Sequence, residues 1–389
     1  MRHFLTVSLM VFTFGSFSVL AQQQQLDVFE EMAVIEQEVI GYGQRPVVKA
    51  LNSLLIQKDG GTADPSKSGV RILVTGADSV GKLAAGEARA ITKRAQYIEI
   101  NLSAYGFSES QEYMVQRAQN FKQTMAVLLT QHPNAVFALK NIELANPMVR
   151  QYVANLLRNE FEIQIQPEPV AIGEPAQPKA ESRNPSVVLH KVDTREADFF
   201  VTLGEETKYA LEAGGINLST LGFGNSLEEI SKKINENPAA LRLAVQQVLG
   251  KDLTDLFLKV VFVGPLTKDE FRQIVERQID RTLESIQPHI KEITGARELS
   301  IDPEARAQLV ERLVTTHFRN GTGTHEAAHE LNAHIRTALG YANSKAKAAA
   351  IRARINGGEP ATPFNGELVL EFNAEKNSKC DALLLPRGV

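Results

Sequence analysis

Two runs of residues have the types and the spacing to do chemistry. The first is Gly76-Ala77-Asp78-Ser79-Val80-Gly81-Lys82-Leu83, which follows an apolar, β-branched run ending at Thr75 and precedes AAGEARAITKRA, a strongly helix-forming stretch. A G-x-x-x-x-G-K spacing between strand and helix lets successive backbone N–H groups and the helix N-terminus surround a phosphate, while the lysine neutralises the β and γ charges of a nucleotide. ATP or ADP is therefore the expected ligand of residues 76–83. The residue after the lysine ordinarily gives a hydroxyl to Mg²⁺; Leu83 has no oxygen to offer, so the metal is expected to be poorly held. The second run is His325-Glu326-Ala327-Ala328-His329, an H-E-x-x-H pattern. On a helix, two histidines four apart share a face and can bind one zinc, with the intervening glutamate as base. A third ligand is missing from the pattern: His334 lies about 140° round an unbroken helix from His329, and Glu359 and Glu367 follow glycine or proline breaks. Histidines packed or solvated on a helix are the plainer reading, with zinc at His325 and His329 as the alternative.

The elements that must position these residues alternate in type. Apolar runs at 70–75, 97–102, 135–139, 187–192 and 258–263 are separated mostly by longer helix-like stretches, which predicts a parallel sheet with helices on both faces. Helical periodicity precedes them over 26–55, interrupted at Gly41-Tyr42-Gly43, and residues 165–185 form a proline-rich surface loop. After Pro265 the chain reads as helical over 268–286, 303–318 and 325–356, the last with at least one break, and then as a short strand over 366–372. The expected division is a large α/β domain over 22–265 and a smaller, mainly helical domain over 266–389 that ends in a strand.

Composition narrows the classes further. The 389 residues carry 42 Lys+Arg against 46 Asp+Glu, a net charge of −4, so no basic excess exists to bind nucleic acid. A single cysteine, Cys380, excludes an intramolecular disulfide and any cysteine-based zinc or iron–sulfur site. Arg2 followed by an uncharged apolar run over 4–20, with Ala21 after it, reads as a signal peptide over 1–21 and an exported, periplasmic destination. A secretory lumen or an uncleaved N-terminal anchor are the alternatives; after cleavage no membrane span is expected.

Several blocks occur in an order that resembles a Clp-type AAA+ module, above all the second ATPase module of the Clp unfoldases, with torsins similar in length and secretory targeting. They are GQRPVVKALNSLL from Gly43, the glycine loop, YIEINLSAY ending at Tyr105, LKNIELANP ending at Pro147, RNPSVVLHKVD ending at Asp193, LGFG ending at Gly224 and VVFVGPLT ending at Thr267. The resemblance implies an AAA+ sheet flanked by helices and a helical lid. It also implies catalytic positions that this chain has lost. The acidic pair that holds Mg²⁺ and polarises water falls on Lys140 and Asn141, leaving Glu143 as the outer acid of that block. The sensor asparagine falls on Asp193, the arginine finger near Asp255 with no arginine between Arg242 and Arg272, and the lid's sensor arginine on His325. No aromatic–glycine loop that grips a substrate chain occurs between Tyr105 and Ala135, and Tyr105 and Tyr113 read as packing residues. Asp193 and His190, three apart on a strand, face opposite ways and make no acid–base pair. The basic run 345–354 reads as a solvated helix face. Phosphoryl transfer rests on positioned metal and positive charge, so the expected protein is an exported AAA+ pseudo-ATPase. It would be a nucleotide-binding or structural scaffold that assembles with itself, another AAA+ protein or an exported protein. The alternatives are an active chaperone with divergent residues, completed by a partner's arginine, and a zinc-binding protein.

Overall fold

The computed structural model describes residues 27–39, 44–62, 69–76, 80–165, 188–204, 227–318, 323–359, 362–371 and 384–387. Residues 1–21, the expected signal peptide, Ala77, Asp78, Ser79, the proline-rich residues 166–185, LGFG and Cys380 lie outside them. The chain divides into two compact units, one of Met1–Val39, Gln44–Gly76 and Lys82–Val263, the other of Ile40–Gly43, Ala77–Gly81 and Gly264–Val389.

In the first unit the elements are, in order, α1 (Val28–Glu38), α2 (Arg45–Asp59), β1 (Arg71–Gly76), α3 (Ala84–Lys93), β2 (Tyr97–Asn101), α4 (Gln111–Gln131), β3 (Val136–Lys140), α5 (Pro147–Arg158), β4 (Glu162–Ile165), β5 (Val188–Lys191), β6 (Asp198–Thr202), α6 (Leu227–Glu236), α7 (Pro238–Leu249) and β7 (Lys259–Val263). Five strands form one parallel sheet in the order β2-β3-β6-β1-β7. All residues of β1 and β6 are buried, as expected of a parallel sheet covered on both faces. On one face Phe121, Phe137, Phe161, Phe199 and Leu73 belong to a core that includes residues of α4 and α5, with Phe137 and Phe199 stacked at 5.4 Å. On the other face α3 sits close over Phe200, because Gly86 presents no Cβ; one placed there would lie 3.1 Å from the ring.

Four of the five apolar runs are strands of this sheet; the run at 187–192 is not. β5 pairs antiparallel with β4 in a separate two-stranded ribbon, and the fourth parallel strand is β6, which begins on a charged residue. Asp198 is fully buried there. One carboxylate oxygen accepts from the Val70 amide at 2.8 Å, the other from Arg89 Nε at 2.9 Å and Lys93 Nζ at 3.1 Å. Arg89 also pairs with Glu31, which accepts from Thr92 Oγ1 at 2.7 Å. The cluster thus joins α1, α3 and the start of β1 to β6.

The second unit contains α8 (Lys268–Ile286), β8 (Glu298–Ile301), α9 (Pro303–His317), α10 (Thr324–Ile355), β9 (Glu367–Glu371) and β10 (Leu385–Pro386). Thr267 and Glu270 close a capping box at the start of α8. β9 pairs parallel with β8 and antiparallel with β10. Leu309, Leu313, Leu331, Ile335, Leu368 and Leu370 are buried, and Phe271 meets Phe318 edge-on at 5.5 Å. The break expected within 325–356 does not occur: α10 is one helix of 32 residues. Gly340, inside it, costs a helix only about 1 kcal/mol, and the alanine-rich KAKAAAIRAR beyond it carries the helix on. No helix among the described residues is long and apolar enough to cross a membrane.

Candidate functional site

The neighbouring parallel strands β3, β6 and β1 end at one edge of the sheet, the kind of edge where ligands of open parallel sheets bind. β1 ends at Gly76 with φ +121°, and a Cβ on it would stand 2.0 Å from the Val263 carbonyl oxygen. No residue with a Cβ fits at this position beside β7 without displacing the Val263 backbone. Gly81 is likewise left-handed, with φ +77°. Lys82 then folds its ammonium over the end of the sheet, donating to the carbonyls of Gly76 and Leu203, each at 3.2 Å. Leu83 is buried and precedes α3 without capping it through its side chain. The N–H groups of the first turn of α3 are therefore not met by a side-chain cap, the arrangement an anion can use. Of the eight loop residues, Gly76, Val80, Gly81, Lys82 and Leu83 are described; Val80 is buried.

Lys140 is the last residue of β3. It lies one position beyond the Leu139–Val201 pair, so it stands beside Thr202, and it shares the sheet face of Phe200 and α3. Its ammonium donates to Glu99 Oε1 at 2.9 Å. Asn141 turns the chain in a left-handed conformation, φ +59°, and gives its N–H to Thr202 Oγ1 at 3.1 Å and its side-chain amide to Asn101 Oδ1 at 3.3 Å. Glu143 Oε1 accepts from the Gly204 amide at 3.0 Å, and its carbonyl accepts from the Arg150 guanidinium.

Asp193 is not at this edge. It lies in the exposed turn after β5, where hydrogen bonds from Arg195, at 2.6 Å for the shortest, hold its carboxyl down at about 2. The polar residue at the carboxyl end of the fourth parallel strand is Thr202, which sequence reasoning missed. The signal was available in DFFVTLG, three strongly β-forming residues and a threonine before a glycine. Before β7, Asp255 pairs with Arg242 at 3.7 Å, and Arg242 also donates to the carbonyls of Thr254 and Phe257 at 3.1 and 2.9 Å. An arginine distant in sequence therefore does reach this segment, as its brace. Tyr105 packs edge-on against Phe121, Tyr113 is half-exposed beneath Arg117, and Phe107, directly after Gly106, is 62% exposed.

The histidines separate as helical geometry requires. His325 and His329 are exposed on α10, whereas His334 is buried and its Nε2 lies 3.1 Å from Glu330 Oε1. The other Glu330 oxygen lies 2.6 Å from His317 Nε2 at the end of α9, and Arg312 Nε donates to Glu330 Oε1 at 3.3 Å. Burial works against the Glu330 charge, but the two histidine hydrogen bonds prevail and hold its carboxyl below the ordinary range. Among the described residues no third metal-ligating side chain joins His325 and His329. Glu330→Ala strips the partner from both imidazoles at the α9–α10 junction and is expected to cost about 1–3 kcal/mol, read as a lower urea midpoint; an unchanged midpoint sinks this account of the junction.

A five-stranded parallel sheet in this order, a glycine at the end of β1 ahead of the helix α3, and a mainly helical C-terminal unit make up a Clp-like AAA+ α/β fold. The chain is similar to Hsp104 in its closed state, solved by cryo-electron microscopy with ATPγS and FITC-casein, with a TM-score of 0.56 and 13% identity over 94% of this chain and 52% of that one. It spans about half the length of that protein, and at this identity the likeness is one of fold. No family model matches the chain, and no curated protein does.

Proposed function

We propose that this chain is an exported AAA+ pseudo-ATPase. It binds ATP or ADP at the loop of residues 76–83, hydrolyses it little or not at all, and serves as a scaffold that assembles with itself or with another AAA+ or exported protein. The observation that carries the reading is the end of β3. Where hydrolysis needs a carboxylate for the metal and a base for the water, this edge holds Lys140 and Asn141, the latter's N–H bonded to Thr202. Left-handed Gly76 and Gly81 and the Lys82 ammonium at the end of β1 support binding of a phosphate. Leu83 brings no oxygen to a Mg²⁺, and Lys140 puts a positive charge where the metal needs a carboxylate, so among the described residues these two positions argue against a well-held metal. Hsp104 was solved with ATPγS, and the reading extends that ligand class to this chain. The apolar leader over 4–20 supports export.

Calorimetric titration with ATP and ADP, paired with a phosphate-release assay, tests the reading. The expected result is micromolar binding, weakened at least about tenfold by Lys82→Ala, which corresponds to about 1.4 kcal/mol, with no sustained phosphate release. Steady turnover abolished by Lys82→Ala overturns it in favour of an active ATPase. Absence of binding overturns it in favour of a nucleotide-independent scaffold.

A further inference from the structure

α10 runs well past the core that it helps to build. Its last buried residue is Ala342, and the thirteen residues from Asn343 to Ile355 carry the helix on for about 20 Å at 1.5 Å per residue. Over that length the side turned away from the core is mainly apolar. Tyr341, Ser344, Ala348, Ile351 and Ile355 recur at steps of three and four residues and so share one face. Ile351, nine residues after Ala342, lies about 180° round the helix from it. All five are exposed, Ile351 at 59% and Ile355 at 78%. Basic side chains border this stripe on both edges, Lys347 and Arg354 on one, Lys345 and Arg352 on the other. No acidic residue occurs between Glu330 and Glu359, so the end of the helix is locally positive on a chain whose net charge is −4.

Exposed isoleucines framed by cations fit one kind of partner better than the others. Nucleic acid would meet the cations through its phosphates and leave the isoleucines in water. A protein partner would have to hold to a strip about 22 Å long and about 10 Å wide, well short of the roughly 800 Å² that each side of a stable interface buries. Residues 341–355 also span only two heptads, fewer than the three or more of a coiled coil. A bilayer demands neither shape complementarity nor length. Its hydrocarbon takes up the isoleucines, while lysine and arginine stems lie along the interface with their charged heads among anionic phosphates. We propose that residues 341–355 of α10 dock on the surface of an anionic phospholipid bilayer, the helix lying in the interface without spanning it. Ile351 and Ile355 enter the boundary between headgroups and acyl chains, and Lys347, Arg352 and Arg354 meet lipid phosphates. Two isoleucines bury little apolar area, so the attachment is reversible and weakens as salt screens the charges. The contact needs no nucleotide.

The chain contains no tryptophan, so Ile355→Trp places a single fluorophore on the stripe, and its emission reports this helix whatever the apolar residues 4–20 do. The full chain carrying Ile355→Trp is titrated with vesicles of phosphatidylglycerol and phosphatidylcholine, and with vesicles of phosphatidylcholine alone. A blue shift is expected on the anionic vesicles and is reversed by high salt, with partition at least about tenfold stronger than on the neutral ones. In the same background, the triple variant Lys347→Gln, Arg352→Gln, Arg354→Gln keeps helix propensity and is expected to weaken partition at least about tenfold. Ile351→Ser removes one of the two inserted side chains and is expected to weaken it about tenfold. Far-ultraviolet circular dichroism of each variant separates loss of fold from loss of binding. No shift on anionic vesicles, or equal partition on neutral ones, overturns the inference. Partition that Ile351→Ser leaves unchanged shows electrostatic adsorption without insertion and overturns it too. A blue shift that grows with protein concentration in the absence of lipid shows that a second copy covers the stripe, and overturns it in favour of self-association.

Discussion

Asp198→Ala is expected to lower the free energy of unfolding by about 3–5 kcal/mol, the usual cost of removing one partner from a buried ion pair. The carboxylate is wholly buried, and its two oxygens meet the Val70 amide, Arg89 and Lys93. Without it, the Val70 N–H loses that acceptor and two cations remain in the interior with Glu31 as the nearby carboxylate, which pairs with Arg89. Asp198→Asn keeps an acceptor for Val70 but loses the charge, so its loss falls between wild type and alanine. Urea unfolding reads the difference as a lower midpoint at unchanged slope. A change below about 1 kcal/mol, the size expected of a solvated pair, means that water reaches the cluster and the buried-charge account is wrong.

The same carboxylate sets a pH dependence. Burial alone raises its pKa, but Lys93, Arg89 and the Val70 amide outweigh burial and hold it below the ordinary value. Burial in turn pushes the Lys93 amine down, against the opposing pull of Asp198. A carboxylate whose folded pKa lies below its unfolded one contributes stability in full above the unfolded value, about 3.9, and loses it as pH falls through the folded value. Wild-type stability should therefore drop below that pH by an amount that Asp198→Asn no longer shows. Parallel acid-unfolding curves for the two proteins contradict the assignment.

Asp198 also explains where sequence reading stopped. Runs such as RILVTG and VFALK announce themselves, because every residue or nearly every one is apolar or β-branched, as a strand buried on both faces requires. DFFVT opens on a charge, as RILVTG does, but has only two β-branched residues against three there, and VVLHKV nearby has the stronger β-branched pattern. The charge is tolerated because Arg89 and Lys93 reach it from more than a hundred positions away in the chain, a pairing that no local pattern reveals. The misplaced strand carried the site with it: Asp193 replaced Thr202 as the residue beside the loop. Glycine spacing needs no such long-range knowledge, so the left-handed turn positions Gly76 and Gly81 were legible. The contacts among Asn141, Thr202, Glu143 and Gly204 depend on register between strands, and so appear only once the sheet is assembled.

Gly76→Ala is expected to cost about 4 kcal/mol, from left-handed strain and steric overpacking acting together, and to abolish nucleotide binding in whatever fraction stays folded. At φ +121° an alanine is strained in any surroundings, and here its Cβ would also stand 2.0 Å from the backbone oxygen of Val263 on the paired strand. A backbone oxygen cannot rotate aside as a side chain can, so β1 and β7 would have to separate at the point where the chain turns toward Lys82. Gly250→Ala is the matched control. Its φ of +84° is also left-handed, but nothing lies within 4 Å of the added Cβ, so it should lose only the strain component, about 1–3 kcal/mol, and leave binding intact. Similar losses in both variants mean that the close approach to Val263 is not what confines position 76 to glycine. A Gly76→Ala protein that still binds ATP as wild type does means that the phosphate is held without the turn that brings Lys82 over the sheet.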